Sequence, residues 1–460
     1  MEEKIIRERL YEKYIAPTKK KRQEYIGIEI EIPILNLEKK PVDFQVVHEI
    51  TGKFMEHFSF RAEGKDEEGN IYSAVDHVTG DILSYDCSYN NLELCLGKEK
   101  ELGILKQRFQ TYYSFLKHEF EKKGHTLTGM GVNPYRIYNR NIPIPNGRYR
   151  MLFHHLHSYK KYQIPMYFHH YPEYGTFSSA SQVQLDVSYE DLLVTLEAFS
   201  RLEPIKALLF SNSVLLGEHE ELLCCRDHFW ENSTHGINAH NIGMYDCEFE
   251  SVQELLSYIE STSIYCVERE EKYINFSPVP IVEYLQKPWV SGEYYEDGTY
   301  KTIKVVPRME DIQYLRTFKF EDLTFRGTVE FRSVCCQPIK DSMTVAAFHV
   351  GLKEELYSLH KLLKEDNIIY HHSYTAGELR NMFVQRELPG FVDVEELYSL
   401  TRKILDLAKK GLKSRGYGEE SMLEPLYRRL EERTNPARKL LQLRDKGTQL
   451  EQIILEYGQI

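Results

Sequence analysis

Several stretches far apart along the chain alternate between apolar and ionised or polar residues. In Tyr25-Ile-Gly-Ile-Glu-Ile-Glu-Ile-Pro33, Ile28, Ile30 and Ile32 point one way and Glu29 and Glu31 the other. In Arg326-Gly-Thr-Val-Glu-Phe-Arg-Ser-Val334, Val329 and Phe331 oppose Thr328, Glu330 and Arg332. A period of two belongs to a half-buried strand, so each segment predicts a strand with one face in a core and the other carrying charge. Ser181-Gln-Val-Gln-Leu-Asp-Val187 repeats the pattern, with Val183, Leu185 and Val187 inward and Gln182, Gln184 and Asp186 on the polar face. Ile71 to His77 and Asp81 to Asp86 read as strands joined through Thr79-Gly80, with Asn91 to Leu96 beside them.

Helical rhythm fills much of the remainder. Residues 1–23 end in the basic run Lys19 to Arg22, read as a solvated helix end. Val46, Val47, Ile50, Phe54 and Phe58 form one stripe in a helix over 41–58, with Pro41 suited to its first turn. A helix follows over 99–122, then a strand and turn in 126–134. Ser188 with Asp191 resembles a capping box opening a helix to about Phe199, broken near Pro204, and Ser251 with Glu254 opens another. Segments 63–70 and 139–174 read as loops, and 291–298 as a hairpin turn. Beyond 334 the pattern is helical over 341–364, 393–414, 419–433 and 436–457, with Asn435 as N-cap and Pro436 at the first helical position. Antiparallel strands followed by helices predict an α+β protein, with a catalytic sheet region over 1–345 and a helical region over 346–460 packed on the same domain.

The net charge of -12 over 460 residues argues against nucleic acid as a partner. No apolar run approaches the roughly 18 residues that span a bilayer, and the opening Met1-Glu2-Glu3-Lys4 has no signal-peptide pattern, so the expectation is a cytoplasmic protein without a membrane partner. The 8 cysteines include the adjacent pairs Cys224-Cys225 and Cys335-Cys336 but no C-x-x-C, which favours reduced, buried thiols.

Familiar catalytic signatures are missing: no phosphate loop of the G-x-x-x-x-G-K-[ST] type, no H-E-x-x-H and no G-x-S-x-G. Gly129-Met-Gly131 lacks the third glycine of a dinucleotide fingerprint, and the spacings of His154, His155, His157, His169 and His170 match no zinc signature. What remains is the acidic set Glu29, Glu31, Asp86, Glu93 and Glu330. Each alone reads as a solvent-facing acid on an edge strand. Brought together they need a cation, because carboxylates about 4 Å apart repel by roughly 4 kcal/mol at an effective dielectric near 20. Hard oxygen donors suit magnesium or manganese and, beside arginines, phosphoryl transfer. Arg226 and Arg332 could clamp a phosphate or carboxylate, or serve as structural ion-pair partners.

Nearly the whole chain resembles the glutamate-cysteine ligase family, especially its plant-type branch. The matching pieces, in order, are Gly27-Ile-Glu-Ile-Glu31; Asp86 and Glu93; Gly129-Met-Gly-Val-Asn-Pro134; Gly147-Arg-Tyr149; Gln182-Val-Gln-Leu-Asp186; Leu209-Phe-Ser-Asn-Ser213; Cys225-Arg-Asp-His-Phe-Trp230; Val329-Glu-Phe-Arg-Ser333; and Leu407-Ala-Lys-Lys-Gly-Leu-Lys-Ser-Arg-Gly-Tyr417. The resemblance implies a curved antiparallel sheet of the glutamine synthetase and guanido kinase type, flanked by helices, with a helical C-terminal region. It implies that Glu29, Glu31, Asp86, Glu93 and Glu330 hold Mg2+ (or Mn2+) and that Gln184 faces metal or substrate. Arg332 would reach the transferring phosphate of ATP, and Arg226 would bind the amino-acid substrate or a phosphate. The implied reaction phosphorylates the side-chain carboxylate of glutamate, and an amine, cysteine in the family, then displaces phosphate. One position departs: the relatives carry Asp three residues past the arginine, where this chain has Cys335. Tolerated drift and an altered acceptor pocket both account for that change, so another amine acceptor stays open. A catalytically silent binding protein and a phosphate-ester hydrolase are the readings from other classes.

Overall fold

The computed structural model describes residues 2–164, 168–245 and 247–460. Its strands, in chain order, are β1 (Ile26–Asn36), β2 (Arg61–Lys65), β3 (Ile71–Val75), β4 (Ile82–Tyr85), β5 (Asn91–Glu99), β6 (His125–Leu127), β7 (Ser181–Asp186), β8 (Ile242–Gly243), β9 (Ser263–Arg269), β10 (Lys272–Pro280), β11 (Val290–Glu296), β12 (Thr299–Val305), β13 (Phe318–Lys319), β14 (Glu321–Leu323) and β15 (Thr328–Phe331). Strands β14-β15-β7-β1-β5-β4-β3-β2, in that order, with β6 on the far end of β1, form a nine-stranded sheet among the described residues. Every pairing in it is antiparallel. The alternation expected in 25–33, 181–187 and 326–334 is what sets this register.

Ile28, Ile30, Ile32, Val183, Leu185, Val329 and Phe331 are buried on the apolar face. Phe331 lies 4.5 Å between ring centroids from Phe199 of the helix Leu192–Phe210 and 4.7 Å from His349 of the helix Met343–Glu354. That second helix also packs on β7 and is crossed by the long helix Val394–Arg415. The crossing is a glycine pair: a Cβ on Gly411 would stand 1.9 Å from the Gly351 carbonyl oxygen, and one on Gly351 would stand 2.2 Å from that of Ala408. The helical C-terminal region thus supports the sheet from behind, and its packed core is continuous with that of the N-terminal strands.

A second, four-stranded sheet, β12-β11-β10-β9, carries the expected 291–298 hairpin at Asp297-Gly298. Its other strands, β9 and β10, were not expected from pattern. Gly129 and Gly131 serve close packing, since a Cβ on Gly129 would meet the Gln337 carbonyl oxygen at 2.1 Å.

Several expectations are corrected. Segment 63–70 is partly strand, because β2 closes the sheet edge beside β3. Segment 139–174 contains a helix, Gly147–His157, capped by Asn146, whose side chain accepts from the Tyr149 N–H at 2.8 Å; residues 165–167 of that stretch lie outside the described residues. The helix over 41–58 begins at Phe44 with Asp43 as its cap, so Pro41 precedes it. Pro204 does not break its helix: buried Phe199, Leu202, Ile205 and Leu208 hold both sides of it in the core, and tertiary packing outweighs a loss of about 3 kcal/mol for an interior proline. Arg22 is no solvated helix end but donates to the Gly327 carbonyl at 2.9 Å and pairs with Asp186. The helical stretches 341–364 and 436–457 are each two helices, and a further helix, Ala376–Phe383, lies between.

Gly411→Ala is expected to destabilise the fold by about 1–3 kcal/mol through overpacking at the helix crossing, read as a lowered urea midpoint. An unchanged midpoint would place the two helices farther apart than described.

Candidate active site

The polar face of the large sheet brings the acids together strand by strand. In the ladders Glu31 stands opposite Glu93, Glu29 between Cys95 and Gln182, and Glu330 between Gln184 and Asp322. Asp86 follows β4 at the turn into β5. All five predicted carboxylates line one open groove of about 510 Å³, together with Asp322, Cys95, Arg326 and Arg332. Glu29, Glu93 and Cys95 bring ligand atoms within 4.8 Å of one another.

Their hydrogen bonds hold the side chains in place without neutralising them. Gln182 Nε2 donates to Glu31 Oε1 at 3.0 Å and the Ala180 N–H to its Oε2 at 2.7 Å. Gln184 Nε2 donates to Glu29 Oε1 at 2.9 Å, and Ser84 Oγ to Glu93 Oε2 at 2.6 Å. Glu330 has a cationic partner in direct contact, Arg332. Burial first, and the negative charge of Glu330 next, push the Glu29 carboxyl up to about 8. Burial and Asp86 push Glu31 up to about 7, although Arg226 opposes them. Glu93 is raised well above the usual carboxylate range by burial and by Glu29, Asp86 and Glu31, and burial raises Asp86 against the pull of Arg148. Acids that resist ionisation side by side fit a multivalent hard cation, whose charge would replace the missing protons. The Cys95 thiol is raised well above its ordinary value by burial and by Glu93, so it stays protonated and offers such a cation little.

The groove opens into a second cavity of about 150 Å³ with different chemistry. Arg148, Arg226, Arg316 and Arg332 line it, against a wall of Trp230, Tyr265, Tyr273, Phe318 and Phe320. Arg226 enters from the short helix Cys225–Glu231; its Nη1 donates to the Ser333 carbonyl at 3.3 Å, while its Nε is buried without a partner. Glu31, Asp86, Arg148, Gln182 and Arg332 line both spaces.

The glutamate-cysteine ligase family 2 model matches residues 102–457. The chain belongs to that family. It is 25% identical over 331 residues to the chloroplastic glutamate–cysteine ligase of Solanum lycopersicum, covering 70% of this chain and 58% of that one. The relative from Arabidopsis thaliana is 25% identical over 338 residues, again covering 70% and 58%. The chain thus spans under two thirds of the length of the curated relatives it matches. Among solved structures, a glutamate–cysteine ligase of Francisella tularensis in complex with AMP is 10% identical, with 96% of this chain and 89% of that one covered and a TM-score of 0.47.

In this family-2 chain the predicted residues Glu29, Glu31, Asp86, Glu93, Glu330 and Arg332 share one groove, and Arg226 faces the adjoining cavity. Gln184 is placed differently from the expectation that it faces metal or substrate. Its amide nitrogen is committed to Glu29 and its oxygen accepts from Arg326 Nη2 at 2.7 Å, so it is a spacer between acid and arginine. Gln182, with a buried and unpartnered Oε1, is the glutamine that lines both cavities. Asp322, Arg148, Arg316 and the wall residues went unassigned; the pairing of β14 with β15 is what delivers Asp322. Cys335 is buried away from the cavity lining, its Sγ 3.4 Å from that of Cys224. The histidines are hydrogen-bonding groups: His154 pairs with Glu293, and His169 Nε2 lies 2.8 Å from the Phe229 carbonyl.

Because Glu29 and Glu31 keep protons in the fold that the unfolded chain releases above about pH 4.5, the metal-free protein should lose stability as pH rises from there through about 7 to 8. Thermal melts with and without 5–10-fold excess magnesium over its midpoint concentration should show a larger stabilisation at pH 8 than at pH 6. Equal shifts would separate the acids from cation binding.

Proposed function

We propose that this protein is an ATP-dependent ligase that joins the γ-carboxylate of glutamate to the amine of cysteine through a γ-glutamyl phosphate. The observation that carries this reading is the junction of an acid-lined groove with an arginine-lined, aromatic-walled cavity in a chain of this family. One half suits a metal-bound polyphosphate and the other an amino-acid anion. Names of the plant relatives supply the two amino acids.

Glu29, Glu31, Asp86, Glu93 and Glu330 would hold Mg2+ (or Mn2+). Magnesium, when bound, would screen the phosphate oxygens of ATP so that an anionic carboxylate can approach. Arg332, reaching both spaces and pinned by Glu330, orients the γ-phosphoryl group and offsets charge as it transfers. Arg226 offers its unpartnered Nε to the α-carboxylate of glutamate, which fixes the side-chain carboxylate toward the groove. Gln182 keeps Glu31 in place from the shared wall. Trp230, Tyr265 and Phe318 exclude water, which would otherwise hydrolyse the acyl phosphate. The amine then displaces phosphate to give the γ-glutamyl amide.

Glu330→Gln should lower glutamate- and amine-dependent ADP release by about 100-fold or more while the thermal midpoint changes by only a few degrees. Undiminished turnover would remove Glu330 from the site. ADP release by the unaltered protein should require both glutamate and an amine and should be fastest with cysteine; release without an amine would point to hydrolysis.

A further inference from the structure

The cations around the two cavities are not equally committed. Arg332 is tied to Glu330, Arg326 to Gln184, Arg226 to the Ser333 carbonyl, and Lys13 Nζ to the Ile312 carbonyl at 2.6 Å. Among the described residues, the guanidinium groups of Arg148 and Arg316 meet no hydrogen-bond acceptor and no ion-pair partner. Both line both spaces. Both stand near enough to Tyr265, Cys266 and Tyr273 to act on the ionisation of those side chains, so they address the same wall from two directions.

Their backbones are firmly held. Arg148 lies in the first turn of the helix capped by Asn146. At Arg316 the carbonyl accepts from Asn241 Nδ2 at 3.3 Å, and the carbonyl of the preceding Leu315 accepts from Tyr14 OH at 3.1 Å. Uncommitted guanidinium groups on fixed backbone, against an aromatic wall, form a receptor for a planar anion that approaches from outside. ATP and the reacting carboxylate of glutamate are accounted for by the acid groove and Arg332, and the α-carboxylate of glutamate by Arg226. The remaining reactant is the amine.

We infer that Arg148 and Arg316 hold a carboxylate borne by the acceptor, so that the acceptor is an α-amino acid rather than a simple amine, and that these residues set that preference. This inference rests on the ligase reading above. The pair acts by binding: it positions the acceptor so that the nitrogen faces the acyl phosphate, and it leaves the phosphoryl transfer to the groove.

The test compares cysteine with cysteamine, its decarboxylated counterpart, at saturating ATP and glutamate, in the unaltered protein and in Arg148→Gln and Arg316→Gln. The unaltered protein should favour cysteine by about 100-fold or more in kcat/KM, in line with the cost of leaving buried polar groups unpaired. Each variant should lower that ratio at least tenfold, mainly through the KM for cysteine, and Arg316→Lys should recover part of it. A ratio that stays constant while both rates fall would overturn the inference, since a merely structural role affects both amines alike. A raised KM for ATP with an unchanged ratio would also overturn it, assigning the arginines to the nucleotide. If the unaltered protein releases no ADP with glutamate and either amine, the ligase reading itself fails and this inference falls with it.

Discussion

Like charge gathered on one sheet face is the constraint on which the rest of this structure depends. Glu29, Glu31, Glu93 and Glu330 are delivered by neighbouring strands, and Asp86 by the turn beside them. Water cannot fully screen them, because burial is the first cause of the raised acidity constants of Glu29, Glu31, Asp86 and Glu93. Such a face is stable only when protonated or when it holds a cation. A site poised in this way stores its affinity for metal in the cost of staying empty.

Behind the arginine-lined cavity the protein uses the opposite device, a compensated network. Glu203, Lys206 and Glu321 are fully buried, and Arg380 and Asp227 nearly so. Burial alone would raise Glu203, but Lys206 and Arg380 hold it down at about 2, while burial and Glu203 raise Glu321 well above its usual range. Arg380 clamps Asp227 at 2.7 and 3.1 Å and shares the Ser333 carbonyl with Arg226. The helix Ala376–Phe383, otherwise remote from the groove, therefore fixes the cavity wall through Arg380. Breaking one partner would leave a buried charge uncompensated, which costs far more than the intact network contributes.

The acid face was legible because a period of two is a local property: once Ile28, Ile30 and Ile32 must be buried, Glu29 and Glu31 have only one side to occupy. The same logic placed Gln182 and Glu330. It could not tell which glutamine is free, because Gln182 and Gln184 share a face and differ only in their neighbours, Glu31 for one and Glu29 with Arg326 for the other. Strand β2 was missed because Arg61–Lys65 is an edge segment with mostly exposed side chains and so carries no burial pattern. The helix Leu192–Phe210 ran past Pro204 because its neighbours in the core, which no local rule sees, hold it straight.

By itself the sequence determined the α+β character, the polar face of the sheet and the acids on it, since each follows from local alternation and side-chain chemistry. Only the tertiary structure decided that Arg148, Arg226 and Arg316, from separate helices and loops, meet across one cavity, and that β9 and β10 wall it with Tyr265 and Tyr273. Those meetings depend on long-range packing between segments with no shared period, and spacing along a chain holds no record of which guanidinium groups are left without a partner.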